Sequence, residues 1–241
     1  MYHISTKYNK MGEKTISNSQ KNWDIIARSF DKTRRKPWEQ CIRFINTLPK
    51  NYVTADIACG NGRHLIPFAK RCKRVIGLDF SKELLKIVKE KLEKEKLDNV
   101  ELLHSNVLEL PLKDESIDAV LFIAAIHNIK GRENRIKTLK EIKRILKKNG
   151  KTLISVWSRW QDKYREEFFK RWFTQLGREE FGDIDIYWRQ HGLNIPRFYH
   201  LYSKKEFLKD LKEAGFKIVE VEDVKMHSKR HPDNFFAFCK K

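Results

Sequence analysis

Short apolar runs alternate with longer amphipathic segments along the middle of the chain. The apolar runs have the length of β-strands and occupy residues 52–59, 74–79, 100–105, 117–126 and 151–157. The segments between them predict a helix ending near residue 71 and helices at 82–96 and 132–147. The run IDAVLFIAAI (117–126) is apolar on both faces, as expected of a central strand covered by helices on both sides. This alternation predicts an α/β fold built on a mostly parallel sheet.

The alternation stops at residue 158 and the pattern changes again after residue 202. Segment 158–202 contains twelve of the 28 aromatic residues of the chain. A connection this long is typically functional, or is an inserted helical lid. Beyond it, Ser203 is predicted to cap a helix over 204–214. The apolar stretches FKIVEVEDV and NFFAFCK then predict a closing antiparallel pair of strands.

The first fifty residues precede the strand pattern and are mostly polar. Residues 1–20 show no periodicity and predict a flexible basic tail. Helices are predicted at about 21–29 and 37–48, the second closed by Pro49 and opened at Pro37-Trp38. Residues 21–241 are expected to form a single domain, with N-terminal helices at 21–50. The Trp38 ring is expected to pack on the core rather than stack on a base.

Charge adds a candidate partner to this outline. The chain carries 51 Lys and Arg against 32 Asp and Glu, a formal net charge of +19. The excess is concentrated in residues 1–36 and 130–151, which suggests a polyanionic partner. A solvated helix face would also account for the second segment, and the Lys- and Glu-rich composition of thermophile proteins would account for part of the whole excess.

The four cysteines and the lengths of the apolar runs indicate the cellular compartment of the protein. The cysteines form neither a CxxC pair nor a cluster with histidine at metal-ligand spacing, so buried thiols in a reducing compartment and no metal site are expected. The N-terminus has no apolar signal region and no apolar run reaches the length of a membrane span. We therefore expect a cytoplasmic protein without membrane contact.

A glycine-containing turn after the first strand carries the clearest chemical signal. In TADIACGNGRH, Gly60 and Gly62 allow close approach of a ligand to the backbone, and the following helix offers free N–H groups. Asp79 ends the next strand, where an acid can accept hydrogen bonds from both hydroxyls of a ribose. The third glycine of a NAD-type turn is absent, because Arg63 and His64 follow Gly62. The pattern predicts nucleoside binding, and His64 is expected on the surface.

These elements resemble the class I S-adenosylmethionine-dependent methyltransferases. The resemblance places Asp56, Gly60 and Gly62 at the methionine part of the cofactor, Asp79 at the ribose and Asn106 at the adenine. Ala58 stands where the family has its first glycine, and Asn106 where it has an acid. The implied fold is Rossmann-like, a seven-stranded mostly parallel sheet with one antiparallel strand. The implied cofactor-binding residues are Asp56, Ala58, Gly60, Gly62, Asp79, Phe80, Asn106, Val107 and Ala124.

A narrower resemblance extends over about residues 20–241. The stretches ARSFDKTRRKPW, IAAIHNI, KEIKRILKKNGKTLISVWS and RFYHLYSKKEF are similar to tRNA methyltransferases that esterify carboxymethyluridine at the anticodon wobble position. That family commonly has two histidines where this chain has His127-Asn128. The resemblance implies tRNA rather than DNA as partner, and a small zinc-binding activator subunit that covers an edge of the sheet. The candidate surface for this subunit is the third strand, VELLHS, which is expected at a sheet edge with unpaired N–H and C=O groups. The implied catalytic residues are Arg34, His127, Arg197, Tyr199 and His200.

A carboxylate acceptor also agrees with the motifs that the chain lacks. It has no Asn-Pro-Pro-aromatic stretch for amino groups and no Pro-Cys for attack through carbon. A carboxylate is already ionised at neutral pH and needs no strong base. Two alternatives remain open from the sequence: a small-molecule methyltransferase of the quinone or biotin pathways, and a non-catalytic tRNA-binding subunit with this fold.

Overall fold

The computed structural model describes residues 5–174 and 180–241. The helices are α1 (Ser5–Thr33), α2 (Glu39–Asn46), α3 (Leu65–Arg71), α4 (Lys82–Glu95), α5 (Arg132–Ile145), α6 (Arg165–Thr174) and α7 (Lys204–Glu213). The strands are β1 (Val53–Ile57), β2 (Arg74–Asp79), β3 (Val100–His104), β4 (Ile117–Ile123), β5 (Leu146–Trp157), β6 (Asp183–Trp188), β7 (Ile195–His200), β8 (Lys217–Val224) and β9 (Asn234–Lys240). A 3₁₀ turn at Ile126–Asn128 follows β4.

Seven strands form one sheet in the order β3-β2-β1-β4-β5-β9-β8. The first five pair in parallel, and β9 runs antiparallel to both of its neighbours. All but one residue of β4 are buried, because helices cover this strand on both faces. The predicted seven-stranded fold is confirmed, with β3 at one edge. The direction of winding reverses between β1 and β4, which opens a crevice at their carboxyl ends.

The N-terminal helix differs from the sequence prediction. A tail over 1–20 and a helix over 21–29 were expected, but one helix runs from Ser5 to Thr33, and residues 1–4 lie outside the described part. No proline interrupts this span. Its second half is fixed on α4, where Asp24 accepts hydrogen bonds from Ser81 Oγ at 2.6 Å and from the Glu83 N–H at 3.2 Å. Helix growth from a fixed segment is far easier than nucleation, so the first residues extend α1.

Two further element boundaries differ from the expectation. Trp38 precedes α2 with an extended backbone, so α2 starts after it. Strand β5 begins at Leu146, directly after α5, instead of at residue 151. The Asn149-Gly150 pair therefore lies within β5, where Asn149 has a φ of +68° and the pairing with β4 shifts register. Local turn residues produce an irregular strand here, not a loop.

The inserted segment is a helix followed by a β-hairpin. Helix α6 packs against the β6–β7 hairpin around a small apolar core, which includes Tyr164, Phe168, Ile184, Ile186, Tyr199 and Leu201. The hairpin is joined to α1, because the Trp188 indole N–H donates to Ser29 Oγ at 2.8 Å. The insertion and α1 together cover the carboxyl ends of the strands.

All four cysteines are buried free thiols, as the sequence predicts. Within the described residues, none of the helices combines the length and the apolarity that a membrane crossing requires.

The end of α4 allows a test of backbone strain. Lys96 follows the helix with a φ of +54°, in the left-handed region that glycine adopts without steric cost. We expect Lys96→Gly to raise the free energy of unfolding by about 0.5–1 kcal/mol in urea denaturation. The control Lys94→Gly, in the last turn of α4 itself, should lower it by about 0.5–1 kcal/mol. Equal effects of the two variants would contradict the strain at Lys96.

Candidate active site

A cavity of about 660 Å³ lies at the carboxyl ends of β1, β2 and β4 and extends beneath α1 and the β6–β7 hairpin. Most of the sequence-predicted site residues line it. They are Arg34, Asp56, Ala58, Gly60, Asp79, Phe80, Asn106, Val107, Ala124, His127, Arg197 and Tyr199. Gly62 supports the turn from behind, because a Cβ atom there would approach Val88 Cγ2 to 3.1 Å. The cavity has one end at the glycine turn and another at the hairpin.

The turn after β1 has an unusual backbone conformation. Ala58, Gly60 and Gly62 have φ values of +56°, +56° and +77°. Glycine adopts this conformation freely, whereas Ala58 is strained there by about 1–2 kcal/mol. Ala124, at the end of β4, has a φ of +52°. Such strain persists where the surrounding structure imposes it, and it is common at functional sites.

Asp79 is buried and held by backbone groups. Its Oδ2 accepts from the Gly60 N–H at 2.8 Å and its Oδ1 from the Ser81 N–H at 2.9 Å. Burial raises the pKa of Asp79 to about 6, against the opposing effect of these N–H groups. The carboxylate is therefore mostly ionised at neutral pH. Each oxygen keeps a lone pair for a ligand hydroxyl. This geometry fits a ribose with two adjacent hydroxyls.

Two further ionisable groups at the same end lack partners. Oδ2 of the buried Asp56 has no hydrogen-bond partner in the described structure, and burial raises its pKa to about 8. Arg63 has its guanidinium 4.4 Å from the centroid of the Trp38 ring and forms no ion pair or hydrogen bond with any described residue. Burial lowers the pKa of Arg63 to about 10.

An acid and a cation that face one cavity without pairing with each other suit a ligand with both an ammonium and a carboxylate. The methionine part of S-adenosylmethionine carries both groups. Asn106 adds an amide whose Oδ1 accepts from the Leu108 N–H at 3.0 Å, which fixes the side chain beside Val107. The residues present at this end therefore fit the cofactor that the sequence implied. The sequence analysis did not predict Arg63 as a site residue, although its position directly after the glycine turn makes it a candidate cation.

The hairpin end of the cavity holds two arginines without acidic partners in the described structure. The Arg197 side chain is buried, and its Nη1 donates to the Tyr199 hydroxyl at 2.6 Å while its Nε has no partner there. The Arg34 and Arg197 guanidiniums lie 5.5 Å and 5.0 Å from the centroid of the Trp188 ring. Burial lowers the pKa of Arg34, and the charge of Arg197 lowers it further. Two neighbouring cations without a counter-ion form an anion-binding site.

His127 lies beside this pair on the turn after β4. Its Nδ1 accepts from the Trp157 N–H at 3.1 Å, and its ring stacks on Tyr199 with the centroids 5.2 Å apart. Burial lowers the pKa of His127 to about 3, and the charge of Arg197 contributes. The neutral ring therefore carries its proton on Nε2, so that His127 is a hydrogen-bond donor at neutral pH.

Two histidines are placed differently from the sequence prediction. His200 was expected at the active-site mouth, but it does not line the cavity. Its Nδ1 bonds to Asp183 Oδ1 at 2.7 Å and its Nε2 to Glu206 Oε1 at 2.8 Å. These carboxylates hold the insertion against α7. The alternation of side chains along β7 explains the error, since His200 faces away from Tyr199.

His64 was expected on the surface, yet it is buried and lines the cavity. Its Nε2 accepts from the Trp38 N–H at 3.2 Å. Trp38 packs edge-on against Phe236 with the ring centroids 5.5 Å apart, and its half-buried ring also lines the cavity.

One group in the described part has the spacing of metal ligands, namely Glu180, His200 and Glu206. Arg135 pairs with Glu180 and Arg159 pairs with Glu206. The negative charge of the group is thus already neutralised within the protein, and we assign it a structural role.

Comparison with known proteins agrees with this geometry. The family described as "Methyltransferase domain" matches residues 55–154. A protein of Encephalitozoon cuniculi named "Putative methyltransferase" is 32% identical over 200 residues, which cover 82% of this chain and 86% of the relative. A tRNA (carboxymethyluridine(34)-5-O)-methyltransferase of Xenopus tropicalis is 34% identical over 172 residues. That match covers 70% of this chain but only 26% of the longer relative.

Solved structures show the same fold. An S-adenosylmethionine-dependent methyltransferase of Methanosarcina mazei superimposes with a TM-score of 0.70 at 19% identity, covering 86% of this chain and 98% of that one. A Haloferax volcanii structure, described as a complex with the Trm112 methyltransferase activator, gives a TM-score of 0.65 at 15% identity, covering 92% and 95%. The family match covers the turn and the strands that build the cavity, and the Encephalitozoon relative aligns over most of both chains. This chain therefore belongs to the class I S-adenosylmethionine-dependent methyltransferases.

Proposed function

We propose that this methyltransferase esterifies the carboxylate of 5-carboxymethyluridine, or a closely related acid, at the wobble position of tRNA. The observation that carries the proposal is the hairpin end of the cavity. It offers two unpaired cations and a neutral donor, but no ionised base among the described residues that line it. Such a site binds an acceptor that is already ionised, and it cannot remove a proton from one that is not.

The hairpin end of the cavity is the proposed binding site of the methyl acceptor, and we call it the acceptor end. The candidate bases described there are unsuitable. Nδ1 of His127 is occupied by the Trp157 N–H, and Nε2 already carries a proton. Burial raises the pKa of the Tyr199 phenol, which therefore stays neutral at neutral pH. A quinol or another hydroxyl acceptor would need a base to remove its proton. A quinol is therefore less compatible with this site as the acceptor than a carboxylic acid.

The side chains at the acceptor end can hold a carboxylate in one orientation. S-adenosylmethionine, when bound, supplies an electrophilic methyl group. The fork of Arg197 is fixed by its bond to Tyr199, so it can hold one carboxylate oxygen while the other stays free to attack. Arg34 adds a second positive charge from the segment after α1. Nε2–H of His127 provides a neutral donor to the same anion. Orientation of an ionised nucleophile by these groups is catalysis by proximity.

RNA as the carrier of this carboxylate is supported by charge and by similarity. A net charge of +19 suits a polyanionic substrate, and the Xenopus relative is named for this reaction on tRNA. The exposed cations Lys32, Arg35 and Lys36 lie beside Arg34, where they can meet phosphates.

A partner subunit is part of the proposal. Strand β3 is an edge strand with one unpaired side, and an edge of this kind accepts an added strand from another chain. The Haloferax structure, described as a complex with an activator, shares this fold. We expect a small zinc-binding activator to pair with β3. Light scattering of the co-expressed chains should then show a heterodimer, and Leu102→Pro in β3 should prevent it. A lone chain with full activity on tRNA would argue against an activator.

The chemical nature of the product tests the proposed function directly. Purified enzyme, with its activator if one is needed, would be given methyl-labelled S-adenosylmethionine and tRNA from cells that cannot form the ester. Because a methyl ester is hydrolysed by mild alkali, the label should leave the tRNA as methanol. A label that survives alkali, as an N-methyl or ribose methyl group would, contradicts a carboxylate acceptor.

The role of the two arginines predicts a specific kinetic effect. Arg34→Lys and Arg197→Lys keep the charge but lose the planar fork, so we expect kcat to fall about 10- to 100-fold. The KM for tRNA should change little, because RNA affinity rests on many phosphate contacts. As a control, replacing Lys32, Arg35 and Lys36 with Gln should weaken tRNA binding and leave kcat nearly unchanged. Calorimetry with S-adenosylmethionine verifies that each variant is folded. A kcat within twofold of wild type in both Lys variants would remove the arginines from the mechanism.

A further inference from the structure

The outward face of the β6–β7 hairpin exposes aromatic rings next to the cavity. Burial alternates along β6, so that Ile184 and Ile186 pack inward while Tyr187 points outward and is 45% exposed. On β7 the half-buried Phe198 belongs to the same outward face, since Phe198 lies across from Asp185, two residues before Tyr187. A face of this kind leaves apolar ring surface in water.

A cationic side chain lies over each of these two rings. The Arg189 guanidinium lies 5.5 Å from the centroid of the Tyr187 ring, and Lys130 Nζ lies 5.7 Å from that of Phe198. Neither cation has an acidic partner in the described part of the chain. Both are exposed. Their charges are therefore free to neutralise a phosphate beside the ring. The exposed acid on this face of the described hairpin is Asp185.

The two ring–cation pairs are arranged in a line that starts at the cavity. Phe198 and Lys130 line the rim of the cavity, whereas Tyr187 and Arg189 do not. Tyr187 pairs with Pro196, two residues before Phe198, so the two aromatic residues are diagonal neighbours on the sheet, about 7–8 Å apart. The pairs thus lead outward from the acceptor end, one after the other.

We propose that these four residues, which we call the hairpin platform, bind the single-stranded nucleotides next to the modified uridine. Aromatic rings stack on nucleobases regardless of sequence, and neighbouring cations bind the backbone phosphates. The excess of positive charge on the whole chain favours a polyanion over an apolar protein surface as the occupant. The exposed rings favour RNA over an acidic protein surface, because nucleobases stack on them. The proposal rests on the proposed function, because the nucleotides on the platform are those that follow or precede a uridine inserted in the cavity.

Three substitutions of Tyr187 separate stacking from simple apolar contact. Binding would be measured by fluorescence anisotropy with tRNA that lacks the ester. Tyr187→Ala should weaken binding about fivefold or more, and Tyr187→Phe should bind like wild type. Tyr187→Leu keeps apolar area but has no ring, so it should behave like Tyr187→Ala. Val219→Ala is the control, because Val219 is 55% exposed on β8, an edge strand of the seven-stranded sheet to which the hairpin does not belong.

The salt dependence of binding separates the cations from the rings. Arg189→Ala should make the plot of log affinity against log salt less steep, by about one in slope, because one phosphate contact is lost. Tyr187→Ala should leave that slope unchanged. Affinity like that of wild type in Tyr187→Ala, or in Tyr187→Leu, would overturn the platform; the Leu result would indicate simple apolar contact with the tRNA instead of stacking on a ring.

Methyl transfer measured on the same samples distinguishes the two proposals. If wild-type enzyme forms the ester but Tyr187→Ala binds tRNA normally, the hairpin platform is wrong and the proposed function stands. If wild-type enzyme forms no ester and Tyr187→Ala still weakens RNA binding, the platform stands and the acceptor has been misassigned.

Discussion

The hydrogen bond from the Trp188 indole to Ser29 Oγ joins two parts of the chain on which the active site depends. The donor is on the hairpin and the acceptor is near the end of α1, and their 2.8 Å contact is buried. His191 Nδ1 also lies 2.7 Å from Ser29 Oγ. A single such bond contributes only about 1 kcal/mol. Its importance is positional, because it fixes α1 and the hairpin over the same side of the sheet.

The two arginines of the acceptor end meet as a consequence of that contact. Arg34 follows α1 directly and Arg197 is on β7, so neither segment alone brings two guanidiniums to the Trp188 ring. Placing like charges together in a partly buried site is unfavourable in the absence of an anion. At the other end, the burial of Asp56 Oδ2 without a hydrogen-bond partner is also unfavourable. The site thus gives up some stability in the free protein, which a ligand with complementary charges restores.

Two buried histidines have pKa values shifted in opposite directions, because their neighbours differ. His127 and His200 are both almost fully buried. Burial lowers the pKa of His127, near the positive Arg197. For His200 burial acts in the same direction, but the hydrogen bonds to Asp183 and Glu206 outweigh it and raise the pKa. One ring is a neutral donor in the cavity. The other has a carboxylate oxygen at each nitrogen, which favours its charged form, and it belongs to a network that supports the insertion.

The amino-acid sequence was enough to predict the sheet, the glycine turn and the position of Asp79, because these depend on local periodicity and on residues close together in the chain. It also indicated a functional segment at 158–202 from its aromatic content. The folded structure was needed to show that this segment is a helix and a hairpin. It also showed that His200 points away from the cavity and that His64 and Arg63 point into it. Those outcomes depend on contacts between residues far apart in sequence, such as Trp38 with His64 and Ser29 with Trp188. Local pattern gives the direction of a side chain within its own element, but packing of distant elements decides which surface becomes the wall of a cavity.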